Sequence, residues 1–302
     1  MPKLKVEKLH TFSGHTDCVY TLTHSNSTNI FFSAGADGQV VKWDIENPDE
    51  GKVIAKVDSS IYSLCFHEDK NWLIIGQNYE GIHIINLTNN KLVKSIQLTK
   101  SAIFDIKVKK DLLAIACGNG ELILLELCNF TSIAKLKLSE KSARSLEIVK
   151  GKLFIGYSDH NIRVIDLINY KLIKEWKAHQ NSVFSLKYIS KTNELLSVGR
   201  DAQINSWNIE SFQKNIDTIP AHMYTINHIV DNKSETWFAS CSMDKSVKIW
   251  DTYTKTLLKV IDKQKYPSHG TSINKLLWID EQKLICCSDD RKITLWNIEN
   301  AS

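Results

Sequence analysis

Residues 240–251 read Ser-Cys-Ser-Met-Asp-Lys-Ser-Val-Lys-Ile-Trp-Asp, and His222 lies eighteen residues before Ser240. A serine, a histidine and an aspartate at short range are the parts of an activated nucleophile. They are equally the parts of a buried hydrogen-bond brace. The choice turns on whether the set is unique in the chain.

It is not unique. SAGADGQVVKWD (33–44), SVGRDAQINSWN (197–208) and CCSDDRKITLWN (286–297) align with it, each ending in Trp then Asp or Asn, each with an Asp six residues before the Trp. Three weaker copies, IGQNYEGIHIIN (75–86), ACGNGELILLE (116–126) and GYSDHNIRVID (156–166), carry Ile or Leu in place of the Trp. Taking Trp43, Ile85, Leu125, Ile165, Trp207, Trp250 and Trp296 as equivalent gives steps of 42, 40, 40, 42, 43 and 46 residues. Seven copies therefore fill the chain, and a period of that length marks a repeat architecture.

Each copy reads as strands alone. The sixth runs TINHIV, TWFASCS, SVKIWD and TLLKVI, four short β-branched and aromatic runs separated by DNKSE, MDK and TYTK. Asn119-Gly120 and Asp37-Gly38 fall at one phase and suit a two-residue hairpin turn. No ten- to fifteen-residue stretch has helical period, which excludes a parallel βαβ architecture. Four antiparallel strands every ~40 residues predict an all-β propeller of seven four-stranded blades. The chain is read as one such domain over residues 1–302.

Composition narrows the function classes. The 38 basic and 34 acidic side chains are scattered, without the basic block that tracks phosphates, so charge leaves a nucleic-acid partner unsupported. The stretch MPKLKVEKLHTFSGH lacks the apolar run of a secretory leader, and nowhere do eighteen apolar residues follow one another, so no membrane association is expected. Seven cysteines, odd in number and mostly within apolar runs such as LLAIACG and KLICCSD, read as free thiols in a reducing cytoplasm. Without a CxxC pair, paired inward carboxylates or a glycine-rich phosphate loop, no metal, cofactor or catalytic residue is expected. A bare propeller would leave any catalytic output to a partner.

The Gly14-His15, Ala178-His179, Ala221-His222 and Ser268-His269 pairs, together with the Trp-Asp endings, make the chain similar to the WD40 repeat family along nearly its whole length. The resemblance implies a seven-bladed propeller used as a rigid platform for protein partners. It also implies a relay in each well-formed blade: the indole meets a serine hydroxyl, the hydroxyl meets His, and His meets the turn Asp. The sets are His15, Ser33, Asp37, Trp43; His179, Ser197, Asp201, Trp207; and His222, Ser240, Asp244, Trp250. In the last copy Cys286 stands at the serine position beside His269, Asp290 and Trp296. A catalytic triad has no reason to recur four times around a ring, so a structural brace is expected. The brace of blade seven should be the weakest, since a thiol bonds poorly. Blades two to four lack the set, which fits drift compensated by packing of Ile85, Leu125 and Ile165, with a specialised sector as the alternative.

Ring closure is expected from the N-terminus. The last copy supplies three strands, so residues of about 4–12 should form the outer strand of blade seven.

Partners of such propellers dock on the narrow face, and phase picks out what is presented there. The position after the residue that opens each first strand gives Tyr20, Tyr62, Phe104, Arg144, Phe184, Asn227 and Asn274; the position before the turn Asp gives Arg200, Met243 and Asp289. Aromatics and Arg are enriched at interface anchors, though rings here would also fill gaps between blades. Arg144 is the hardest to explain by packing, and a carboxylate or phosphate is its natural complement. The expected function is a non-catalytic scaffold for a peptide or protein, with an RNA- or nucleoprotein-associated propeller as the alternative and a channel-sited hydrolase or lyase behind both.

Overall fold

The computed structural model describes residues 4–215 and 218–301. Seven four-stranded antiparallel sheets follow one another along the chain. Their innermost strands are Val19–His24, Ile61–His67, Ile103–Lys109, Ala143–Val149, Val183–Ile189, Ile226–Asp231 and Ile273–Trp278. Blade seven takes three strands from the C-terminal stretch, Ile273–Trp278, Lys283–Ser288 and Lys292–Asn300, and its outer strand, Leu4–Ser13, from the start of the chain. Lys5 opposes Glu299 and Phe12 opposes Ile293 in that last ladder. The seven-bladed propeller and its closure are as the repeat predicts.

Hydropathy explains the radial order of strands. The second strand of a blade is covered on both faces by neighbouring blades, so runs such as Leu112–Cys117 and Trp237–Ser242 are buried almost throughout. The outer strands, such as Lys91–Ile96 and Leu172–Lys177, are mostly exposed and lysine-bearing, which blunts an edge open to other chains.

The core lies between blades. Phe12, Val19, Phe31 and Trp43 pack against Ile285, Ile293 and Leu295 across the joint where the two ends of the chain meet. Each such side chain contributes about 1.5–3 kcal/mol through area removed from water.

One irregularity recurs in all seven blades. The pairing of the first two strands passes from Val19 opposite Gly35 to Thr21 opposite Ala34, leaving Tyr20 without an opposing residue. The same skip occurs at Tyr62, Phe104, Arg144, Phe184, Asn227 and Asn274. Each is a β-bulge, which bends a strand and re-aims one side chain.

Candidate functional site: the bulged rim and the channel beneath it

In blade one, Trp43 Nε1 donates to Ser33 Oγ at 2.7 Å, Ser33 Oγ lies 2.7 Å from His15 Nε2, and His15 Nδ1 lies 2.9 Å from Asp37. Blade five repeats the wiring through Trp207, Ser197, His179 and Asp201 at 2.8, 2.8 and 2.9 Å. Blade six repeats it through Trp250, Ser240, His222 and Asp244 at 2.9, 2.8 and 2.9 Å. One proton arrangement satisfies every group: indole N–H to hydroxyl oxygen, hydroxyl to Nε2, and Nδ1–H to carboxylate. The serines are fully buried. A hydroxyl so enclosed, already accepting from an indole, is out of reach of any substrate.

In blade six electrostatics favours this neutral tautomer. Burial pushes His222 below the usual imidazole range, and Asp244 pulls only partly the other way. Burial alone would raise the Asp244 carboxyl, but bonds from His222, Ser246 and the Met223 amide hold it far below the usual carboxylate range.

Blade seven is wired differently from the sequence expectation. The thiol of Cys286 does not carry the relay; Trp296 Nε1 donates to Thr294 Oγ1 at 2.8 Å, and that hydroxyl lies 2.9 Å from His269 Nε2, whose Nδ1 meets Asp290 at 2.9 Å. Cys286 and Thr294 are cross-strand partners, so the hydroxyl has moved across the ladder to the facing position.

The remaining blades also hold more polar structure than packing of Ile85, Leu125 and Ile165 alone. Blade two joins His83 to Gln77 at 2.6 Å and to Ser95 at 2.8 Å. Blade three pairs Glu121 with Asn119 and Lys135. Blade four buries Arg163 between Asp159 and Glu175, each at 2.8 Å, with its guanidinium 4.6 Å from the centre of the Tyr157 ring.

The seven bulged residues come together. All are half-buried, and all line one depression of about 480 Å³ at the mouth where the inner strands begin. Tyr20 and Tyr62 have ring centroids 4.9 Å apart, and Tyr62 and Phe104 5.5 Å apart. Arg144 continues the series with its guanidinium carbon 3.9 Å from the Phe104 ring centre and 4.9 Å from that of Phe184. Burial, with lesser help from the nearby Cys18 and Tyr62, pushes the Tyr20 phenol up to about 12, so it remains a neutral donor. The other side of the rim is polar and already bonded: Asn227 Nδ2 reaches Ser272 and the Ile273 carbonyl, and Asn274 Nδ2 reaches the Val19 carbonyl and Asp289. Arg200, Met243 and Asp289 do not line the depression, although Met243 is exposed. Tyr79, in the turn of blade two, does line it. No strand phase marks Tyr79, because it sits on a hairpin.

Beneath the rim the channel is charged, which sequence reasoning missed. Asp105, Lys107, His228 and Lys275 line both this depression and a second one, of about 490 Å³, at the opposite mouth. Lys107 pairs with Glu147 at 3.4 Å and Lys187 with Asp231 at 2.9 Å. His228 Nδ1 accepts the Leu276 amide at 3.3 Å, so its proton is on Nε2, and burial holds its pKa well below the ordinary value. Asp105, His228 and Lys275 lie one position, and Lys107, Glu147 and Lys187 three positions, along from the bulges, so the repeat phase could have found them. Among the described residues, no group of three or more His, Cys, Asp or Glu is placed to hold a metal ion.

The profile described as WD domain, G-beta repeat matches residues 6–44, 170–208, 213–251 and 262–297, together half of the chain. The small ribosomal subunit protein RACK1z of Arabidopsis thaliana is 31% identical over 94 residues, 30% of this chain and 28% of that protein. A ribosome biogenesis protein WDR12 homolog of Trichoplax adhaerens is 24% identical over 141 residues, 38% and 33% of the two chains. Human pre-mRNA-processing factor 17 is 28% identical over 109 residues, 35% and 18%. The matches thus span a third or less of these relatives. The WD40 β-propeller domain of Doa1 superposes with a TM-score of 0.85 over 97% of both chains at 18% identity, a likeness of fold.

Proposed function

The chain belongs to the WD40 repeat family, and from that premise we propose that it is a non-catalytic platform that binds a peptide or protein segment on the bulged rim. The observation that carries the reading is the continuous series Tyr20, Tyr62, Phe104, Arg144 and Phe184, in which each side chain touches the next around one mouth of the channel. Rigid rings and an Arg, set on bulges of a stiff scaffold, give contact area at little entropic cost. The free thiols, five of them buried, support a reducing cytoplasm as its setting.

Affinity capture from native lysate, with wild type and with Phe104→Ala/Arg144→Glu/Phe184→Ala as baits, tests the reading. The substituted bait should lose specific partners while its melting curve stays cooperative. Identical partner sets on both baits would sink it.

A second reading is favoured by the names of the relatives, which point to ribosomes and pre-mRNA processing. The same rings would stack bases, and the scattered lysines would meet phosphates. Binding to single-stranded RNA that falls steeply with salt would favour this reading; salt-insensitive capture of a protein would favour the first.

A further inference from the structure

The chemistry of the ligand rests on the rim being a peptide site and is set by Arg144. This residue stands at a bulge between Phe104 and Phe184, stacked on both rings. Its Nε donates to Ser158 Oγ at 3.2 Å. Two rings and one hydroxyl thereby engage the guanidinium. Its two terminal nitrogens have no hydrogen-bond or carboxylate partner among the described residues, and Arg144 lines the depression. Burial disfavours the charge; Tyr62 eases it and Arg200 opposes it.

A half-buried guanidinium without an anion is costly, and an in-plane carboxylate relieves that cost through two parallel hydrogen bonds. We propose that Arg144 receives an aspartate or glutamate side chain from an extended partner segment, whose neighbouring apolar residues rest on Tyr62, Phe104 and Phe184. The available charge selects a carboxylate over a phosphate. One guanidinium with one free edge neutralises a single negative charge. Lys107 is engaged by Glu147, and Asp105 in the floor of the depression offsets the charge of Lys275, the other ammonium lining it, and repels a second negative charge. The segment lies over blades one to five, because Asn227 and Asn274 have spent their amide donors within the protein.

The test pans a random linear dodecapeptide phage library against the full chain, then measures winning peptides by fluorescence anisotropy. Winners should share an Asp or Glu flanked by apolar residues. Arg144→Gln should weaken them by about thirtyfold or more, as should Asp→Asn or Glu→Gln in the peptide, and the two changes together should cost little more than one. Winners that are lost on Tyr62→Ala but lack the acid, or ignore Arg144→Gln, would overturn this proposal and leave the rim reading standing. Phosphoserine at the acidic position binding tenfold tighter would overturn the choice of carboxylate. Winners indifferent to Tyr62→Ala and Phe184→Ala, or no winners at all, would overturn the rim as a linear-peptide site and this proposal with it.

Discussion

At the scale of single residues, the hydroxyl inside each brace carries most of the consequence. Ser240 Oγ accepts from Trp250 and donates to His222, so removing it strands a donor and an acceptor in a dry site. Ser240→Ala should cost about 2–4 kcal/mol by chemical denaturation, since each stranded group costs about 1–3 kcal/mol. Thr294→Val should fall in the same range in blade seven, whereas Cys286→Ala should cost clearly less. Equal losses for Thr294→Val and Cys286→Ala would contradict the wiring through threonine. The His, Asp and Trp of each brace were legible because their spacing repeats. Thr294 was not, because a hydroxyl facing the same site from the adjacent strand keeps the geometry while breaking the spacing. Arg163 in blade four and His83 in blade two occupy that facing position as well, opposite Ile155 and Ile75.

At the scale of elements, strands and turns were legible from composition, while the turn backbone and the bulges were not. The residue after the turn Asp or Asn is left-handed in several blades: φ is 68° at Gly38, 87° at Gly120, 62° at Ala202, 71° at Lys245 and 69° at Arg291. A side chain there costs about 1–2 kcal/mol, partly offset by the greater freedom of an unfolded glycine. Ala202→Gly should therefore stabilise by about 0.5–1 kcal/mol. Gly120→Ala should do the reverse and more, because its Cβ would sit 2.0 Å from the Ser139 carbonyl oxygen. Denaturation midpoints of the two variants check the pair; a loss of stability in Ala202→Gly would contradict the strain. The bulges escape sequence reading because skipping one residue in a ladder leaves the apolar alternation of the flanking residues almost unchanged. Phase nevertheless marked the seven bulged residues, while Arg200, Met243 and Asp289, named with them, fall outside the depression, and the contact of the series was not legible, since it depends on neighbours some forty residues apart.

At the scale of the whole molecule, acid should loosen the ring in two stages. Burial holds His222 and His228 below the ordinary imidazole value of 6.5, so as pH falls through 6.5 the unfolded chain takes up protons that the fold refuses. The carboxyls of Asp201, Asp244 and Asp290 are held below 3.8 by their histidines against the opposing effect of burial. Their contribution is intact above pH 3.8 and is lost as pH drops further. Tm should be flat from about pH 7 to 8, decline below about 6.5 and fall more steeply below about 4. A Tm that rose between pH 7 and 5 would refute the histidine part. Closure makes a second prediction at this scale: a chain beginning at Gly14 should lose its cooperative melting transition, because Ile293, Leu295 and Ile298 lose the strand that covers them. An unchanged melt would show that the ring holds without it.

That closing ladder also sets a clock. Lys5 meets Glu299 across 294 residues, so Leu4–Ser13 waits for its partner strand while everything between them is made. At about 5–20 residues per second the wait is on the order of 15–60 s. Through that interval Leu4–Ser13 is a nascent edge without its mate, and Lys5, Glu7 and Lys8 are charges of the kind that disfavour pairing of an open edge with a neighbouring chain.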